Sequence, residues 1–248
     1  MSNSPLVSHT NISPNRTSPR NHKIDTVTIH CVVGQCTVES LGAHFAAPER
    51  KASANYGIGY DGRVGMYCEE SDRSWCSSSG SNDNRAVTIE VASDTFYPYA
   101  VTEEAYESLI ELLVDICKRN EIDRLRWLAD PTLVGQTDLQ NMTAHRWFAP
   151  TECPGDYLFE RFGDIASRVN ERLSDNPDSS DRSEEESDDY VDFDNIPDDW
   201  ATDAVCWAAD EEILYGDEHG DYHLHKTCTR QEMIVFLHRV YNKIKDIR

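Results

Sequence analysis

Residues 174–199 read SDNPDSSDRSEEESDDYVDFDNIPDD, almost wholly Ser, Asp, Glu, Asn and Pro. Such a stretch cannot bury enough apolar surface to offset the conformational entropy lost on ordering it. Its like charges also push it toward an extended form. The expectation is a disordered acidic linker over 174–199, separating an N-terminal domain, 1–173, from a C-terminal module, 200–248. Each part must then build its own core. The first is long enough to do so, whereas the second is small enough to need a partner surface.

The formal net charge is −22. Phosphate backbones attract basic faces, so no nucleic-acid partner is expected. No run of eighteen apolar residues occurs, so no membrane insertion is expected either. The opening MSNSPLVSHTNISPNRTSPRNHKIDT lacks the apolar core of a secretory signal. Synthesis in a cytoplasm, with exit by another route, is the reading that follows. Eight cysteines in a chain of 248 do not force a disulfide framework, and in a reducing compartment most are free thiols. Cys31, Cys117 and Cys206 read as small buried apolar residues.

In the N-terminal domain, TVTIHCVV (26–33) and AVTIEVA (86–92) have the β-branched density of buried strands. A helix is predicted from about Val38 to Ala46, and Asp61-Gly62 between ANYGIGY and RVGMYC signals a hairpin. Thr102 can cap a helix running to about Asn120, with Tyr106, Leu109, Ile110, Leu113, Ile116 and Cys117 on one face. A last helix is predicted from about Asp156 to Leu173. Strands interleaved with helices point to an α/β fold, a mixed central β-sheet flanked by helices in three layers. The C-terminal module shows two helical patterns, one with Trp200, Ala204, Trp207 and Ala208 on one side. The other has Met233, Phe236, Leu237, Val240, Tyr241 and Ile244 on one face, with Thr229 and Glu232 spaced as a capping box.

His145 and Cys153 stand with seven residues between them in TAHRWFAPTECPGDY, just before a predicted helix. An imidazole and a thiol there suit one metal ion, and a catalytic zinc takes three protein ligands with a fourth position open. His30 would project from a strand end, where the strand fixes its direction. Each histidine alone reads more simply as structural. Glu90 is a carboxylate inside an apolar strand, which calls for either a buried ion pair or a cleft.

At this level the chain resembles the zinc-dependent N-acetylmuramoyl-L-alanine amidases, which share a fold with the peptidoglycan recognition proteins. The resemblance is carried by TIH (28–30), SANYGIGYDGRV (53–64), SWCSSSGSNDNRAVTIEVA (74–92) and MTAHRWFAPTECPGDYLFERFGDIA (142–166), and it extends to phage endolysins. It implies that His30, His145 and Cys153 hold Zn2+, that Glu90 serves catalysis, and that Thr151 helps hold the developing oxyanion where many relatives have lysine. Another branch of the family uses a tyrosine at the position of Ala54, so that role is not supported here, Tyr56 standing two residues on. Trp75 and the Ser-rich turn SWCSSSGSNDN fall where the family lines its substrate groove, and Trp75 equally suits a core. The implied substrate is bacterial peptidoglycan, cut between N-acetylmuramic acid and L-alanine. A recognition protein that binds peptidoglycan without cutting it is the alternative, and so is a bacterial autolysin whose C-terminal module dimerises.

The C-terminal module resembles a single S-layer homology motif through DDWATDAVCWA, ILYGD, TRQEM and FLHRV. Such motifs usually come in threes. The resemblance implies attachment to a secondary cell-wall polymer; oligomerisation through the module is the other reading. His219, His223, His225 and Cys228 cluster in its loop and suggest either a second metal site or a merely polar loop. His9, His22, His44 and His238 read as surface residues.

Overall fold

The computed structural model describes residues 2–174, 202–211, 213–215, 222–224, 226, 228 and 230–246. The chain divides into two compact units, Met1–Ser180 and Asp181–Arg248. The expected linker lies outside the described residues from 175 onward.

The first unit contains strands β1 (Val7–Thr10), β2 (Arg16–Thr17), β3 (Thr26–Val33), β4 (Tyr56–Ile58), β5 (Val64–Met66), β6 (Arg73–Ser74), β7 (Ala86–Ser93) and β8 (Met142–Ala144). Its helices are α1 (Val38–Ala46), α2 (Gly80–Arg85), α3 (Glu103–Arg119), α4 (Asp156–Phe159) and α5 (Phe162–Ser174). Six strands form one mixed sheet in the order β1-β5-β4-β7-β3-β8, and β2 pairs with β6 apart from it. The central strands β4, β7, β3 and β8 are mutually parallel, while β5 runs antiparallel to β4.

The two faces of this sheet follow from the two-residue period of a strand. In β3 and β7, Val27, Ile29, Val87, Ile89 and Val91 face a core that includes Leu109, Ile110, Leu113 and Ile116 of α3 and Ile165 and Val169 of α5. The alternate positions, Thr28, His30, Thr88 and Glu90, take the other face. On that side Leu41 and Phe45 of α1 pack with Ala54 and Tyr67 in a smaller cluster. The result is an α/β fold of three layers.

Local chemistry explains the element ends. Thr102 caps α3 by accepting the Ala105 N–H at 3.1 Å, and its hydroxyl donates to the Tyr60 carbonyl at 2.7 Å. Glu103 and Glu104 open the helix, and Lys118 and Arg119 close it, each charge complementing the dipole end it meets. Gly62 turns the hairpin at φ +77°, and a β-carbon there would meet the Glu104 carbonyl oxygen at 2.9 Å.

Three expectations need correction. The helix predicted over Asp156–Leu173 is two helices, α4 and α5. The Arg161 guanidinium folds back over the Tyr157 ring and donates to the Tyr157 carbonyl at 2.9 Å. It thereby takes the acceptor that a continuous helix would offer to the Arg161 N–H, which bonds Leu158 instead. His9 is not a free surface residue: β1 joins the sheet through β5, and the His9 Nε2 is buried near Gly42 of α1. Cys31 is half-buried rather than a core thiol, because it lines an open cleft near the end of β3; Cys117 is buried as expected.

In the second unit α6 spans Thr202–Asp210 and α7 spans Arg230–Asp246. Arg239 donates to the Ile213 carbonyl at 2.7 Å, and Ile213 is buried. The expected inward face of α7 is covered only in part. Phe236 and Val240 are half-buried, while Met233, Leu237 and Tyr241 are exposed, as is Trp207 of α6. A core this small cannot enclose a full helix face. Trp200, His219, His225 and Thr229 lie outside the described residues, as do the side chains of Cys206, Glu232 and Ile244. No helix among the described residues is long and apolar enough to cross a membrane.

Candidate metal centre and its cleft

The sheet register assembles the site. His30 on β3 is the direct partner of Glu90 on β7, and Ile29 is the partner of Ala144 on β8. The next residue after Ala144 is His145, which begins a short 3-10 turn, His145–Trp147. Three adjacent parallel strands therefore present Glu90, His30 and His145 side by side at their C-terminal ends, where open α/β sheets place their ligands. The His30 and His145 rings lie 5.0 Å apart, centroid to centroid.

One step lower on the same face, Thr88, Thr28 and Thr143 repeat the row. The Thr28 and Thr143 hydroxyls meet at 2.7 Å, and Asn82 of α2 donates to Thr28 at 2.9 Å while accepting from Thr143 at 3.0 Å. These buried bonds fix the sheet edge beneath the site.

Cys153 arrives on a loop closed by its own backbone. The Arg146 N–H donates to the Cys153 carbonyl at 3.1 Å, and the Cys153 N–H donates to Thr151 Oγ1 at 3.2 Å. Arg146 also pairs with Asp156 of α4 at 2.9 Å. This folding places Cys153 Sγ 3.4 Å from His30 Nδ1. Ligand atoms of His30, His145 and Cys153 all lie within 4.8 Å of one another.

This donor set fits a tetrahedral metal ion. Nitrogen and sulfur ligands on zinc, at about 2.0 and 2.3 Å from the ion, stand roughly 3.5 Å apart. Burial, and then His145 beside it, lowers the His30 pKa to about 3; burial also lowers that of His145. Both imidazoles are therefore neutral at neutral pH, as metal ligation requires. His30 Nε2 is buried without a hydrogen-bond partner. Cys153, held against the Cys31 thiol and buried, has its thiol pushed well up, so a nearby cation is needed to make it a thiolate. His30 also lies within reach of a second donor group, Cys76 and Glu90. His145 and Cys153 line the open cleft and Cys76 does not, so the first group is the one that faces solvent.

The cleft has a volume of about 390 Å³ and is lined by Cys31, Val33, Glu90, Tyr99, His145, Thr151, Glu152 and Cys153. Burial raises the Glu90 carboxyl to about 8, with Cys31 adding to the shift. Glu90 Oε2 is buried without a partner, while the Cys76 thiol donates to Oε1 at 3.7 Å. Thr151 lines the same cleft, its oxygen engaged by the Cys153 N–H and its O–H available to a ligand. The structure thus brings together five of the six residues singled out from the sequence. Trp75 is elsewhere: its indole donates to Thr17 at 2.9 Å, and it is not among the residues lining the cleft. Tyr56 is fully buried, with its hydroxyl donated to Glu70 at 2.7 Å.

Residues 20–156 match the N-acetylmuramoyl-L-alanine amidase family, Amidase_2. The chain belongs to that family. No curated protein matches it. Solved structures similar to this amidase-family chain include a mutant endolysin from Bacillus subtilis, at 13% identity and a TM-score of 0.49 over 65% of this chain and 97% of that one. Another is the endolysin N-acetylmuramoyl-L-alanine amidase LysCS from Clostridium intestinale URNW, at 19% identity and 0.47 over 68% and 99%. A third is the Drosophila peptidoglycan recognition protein SD, at 18% identity and 0.42 over 60% and 89%.

Several cleft residues of the amidase-family domain were not singled out from the sequence as site residues. Cys31 and Tyr99 reach it near the end of β3 and by loop packing, while Cys76 stands behind it against Glu90. Ser78 Oγ lies 3.2 Å from His145 Nε2, on a turn whose Cys76 and Ser77 N–H groups donate to buried Asp83 at 3.0 and 3.2 Å. The SSSG run signals a turn, but nothing in its spacing points to His145.

Proposed function

We propose that the protein is a zinc-dependent peptidoglycan hydrolase that cleaves the amide between N-acetylmuramic acid and the L-alanine of the stem peptide. The observation that carries this reading is the convergence of His30, His145 and Cys153 in a cleft shared with Glu90. These three residues would hold the zinc. Bound there, the ion supplies Lewis acidity, polarising the scissile carbonyl and bringing the pKa of water toward about 7.

The chain's own residues do the rest. Glu90 takes the proton of the attacking water and returns it to the departing L-alanine amine. Burial raises its pKa in the metal-free site, and a cation held beside it would draw the carboxyl back toward the ionised form that a base needs. Thr151 offers its hydroxyl to the developing oxyanion, without the positive charge that a lysine would add. The neutral imidazoles of His30 and His145 stay ligands rather than acids. Family membership supports amide hydrolysis over other chemistries of the same donor set.

The biological reading is a phage endolysin that acts on the cell wall after release. The S-layer-homology-like module, 200–248, would attach it to a secondary cell-wall polymer. Incubation with purified peptidoglycan tests the hydrolysis: new L-alanine amino groups, suppressed by a chelator and restored by zinc, are the expected result. New reducing sugar ends alone, or binding with no product, would reject it.

A further inference from the structure

Beyond Glu90, strand β7 runs into Asp94–Ala100, a loop that the proposed chemistry leaves unused. Phe96 and Tyr97 in it are 67% and 66% exposed. Two large aromatics left open side by side mark a contact surface. Yet the loop is firmly built. Asp94 N–H donates to the Ala100 carbonyl at 2.7 Å, Tyr99 N–H to that of Phe96 at 2.8 Å, and Tyr157 N–H to that of Pro98 at 3.1 Å. The Tyr97 hydroxyl donates to Asp156 at 3.0 Å, and the Tyr99 hydroxyl to Glu152 at 2.6 Å. Gly155, at φ +78°, lets the Cys153 loop press against it: a β-carbon there would stand 2.9 Å from Tyr99 Cβ and 3.0 Å from the Pro98 oxygen. Tyr99 itself holds φ +63°, a costly backbone for a bulky residue and one found where function needs it.

Between this loop and the Arg146–Asp156 segment lies a second cavity of about 280 Å³, walled by Tyr97, Tyr99, Arg146, Thr151, Glu152 and Asp156. Tyr99, Thr151 and Glu152 line both it and the metal cleft, so the two adjoin. Its volume is at the small end for ligand sites, suited to a single ring. The lining decides the ligand class. An anionic ligand would meet the carboxylates of Glu152 and Asp156. A cationic one would find those carboxylates already engaged by Tyr97, Tyr99 and Arg146. An uncharged polyol fits: its C–H face stacks on the phenol rings, and its hydroxyls bridge carboxylate and guanidinium.

We infer that this cavity is a saccharide subsite, holding a pyranose of the glycan strand beside the muramoyl residue whose amide enters the metal cleft, with the Tyr97 ring as its stacking ledge. The inference rests on the amidase reading for the position of the strand, and its test separates the two. The full chain, stripped of metal, is titrated with the N-acetylglucosamine tetramer by calorimetry. Tyr97→Ala should weaken binding at least fivefold, whereas Phe96→Ala, outside the cavity lining, should not. Tyr97→Phe, which keeps the ring and loses the Asp156 bond, should fall between Tyr97→Ala and wild type. Equal affinity in all variants, or no binding by wild type, overturns the subsite. With active protein, Tyr97→Ala should lose at least fivefold more rate on polymeric wall than on N-acetylmuramoyl-L-alanyl-D-isoglutamine; equal losses overturn it. A wild type that cleaves neither substrate rejects the amidase reading, and the titration then decides the subsite alone.

Discussion

The two walls of the metal cleft are built differently. One wall is sheet: His30 and Glu90 are register partners on adjacent parallel strands, and His30 is fully buried. The other is loop: Thr151 is exposed and Cys153 half-buried, held by backbone bonds to Arg146 and to Thr151. His145 stands at the join, where β8 ends. The sheet wall fixes direction, since a strand side chain has only two faces to choose from. The loop wall supplies reach and lets a thiol approach an imidazole to 3.4 Å. Rigidity and access are thus divided between elements of different stability.

Replacing one ligand from each wall sharpens this contrast most. His30→Ala and Cys153→Ser should both lose bound zinc, and with it nearly all amide hydrolysis. In chelator the two should part. His30→Ala leaves a hole in the sheet and should destabilise the metal-free fold by about 2 kcal/mol or more. Cys153→Ser should cost less than about 1 kcal/mol in that state. Denaturant midpoints with chelator measure this, and equal losses would break the distinction between the walls.

Glu90→Gln comes next. Turnover should fall about 10²–10⁴-fold, the usual range for a lost general acid–base, while zinc content stays at wild-type level. Undiminished hydrolysis would remove Glu90 from the chemistry.

The same substitution has a pH signature in metal-free protein. The folded Glu90 pKa is raised from 4.5 to about 8, so between those values the folded state binds the proton that the unfolded state releases. This carboxyl therefore lowers stability as pH climbs from 4.5 to 8, with the full penalty above that. At pH 9 metal-free Glu90→Gln should be more stable than wild type, with the gap closing toward pH 4. A gap independent of pH would show that the carboxyl is not buried as described.

The smallest effect belongs to the loop hydroxyl. Thr151→Ala should lower kcat roughly three- to tenfold with zinc retained, a modest loss because the hydroxyl brings no charge. Steady-state rates on soluble muramoyl peptide would check it.

Much of the sheet wall was legible in the chain. TVTIH and TIE each alternate apolar and polar side chains, and a period of two puts Val27, Ile29, Val87 and Ile89 on one face and His30 and Glu90 on the other. Helix α3 was readable for a similar reason, since Thr102 caps it and its apolar residues recur at helical spacing. The loop wall was readable as a set of candidate donors through its resemblance to a family, and its closure was not. The Arg146–Cys153 backbone bond, the break between α4 and α5, and the approach of Tyr99 to Gly155 depend on contacts between chain segments with no common periodicity.

What local pattern determined here was which residues form strands and helices, and which side of each faces apolar neighbours, because burial follows short-range spacing. Tertiary structure alone decided that residues 30, 90, 145 and 153 share one cleft, and that Trp75 stands outside it. Strand order and register are set by the packing of the whole sheet against its helices, and no stretch of sequence carries that sum by itself.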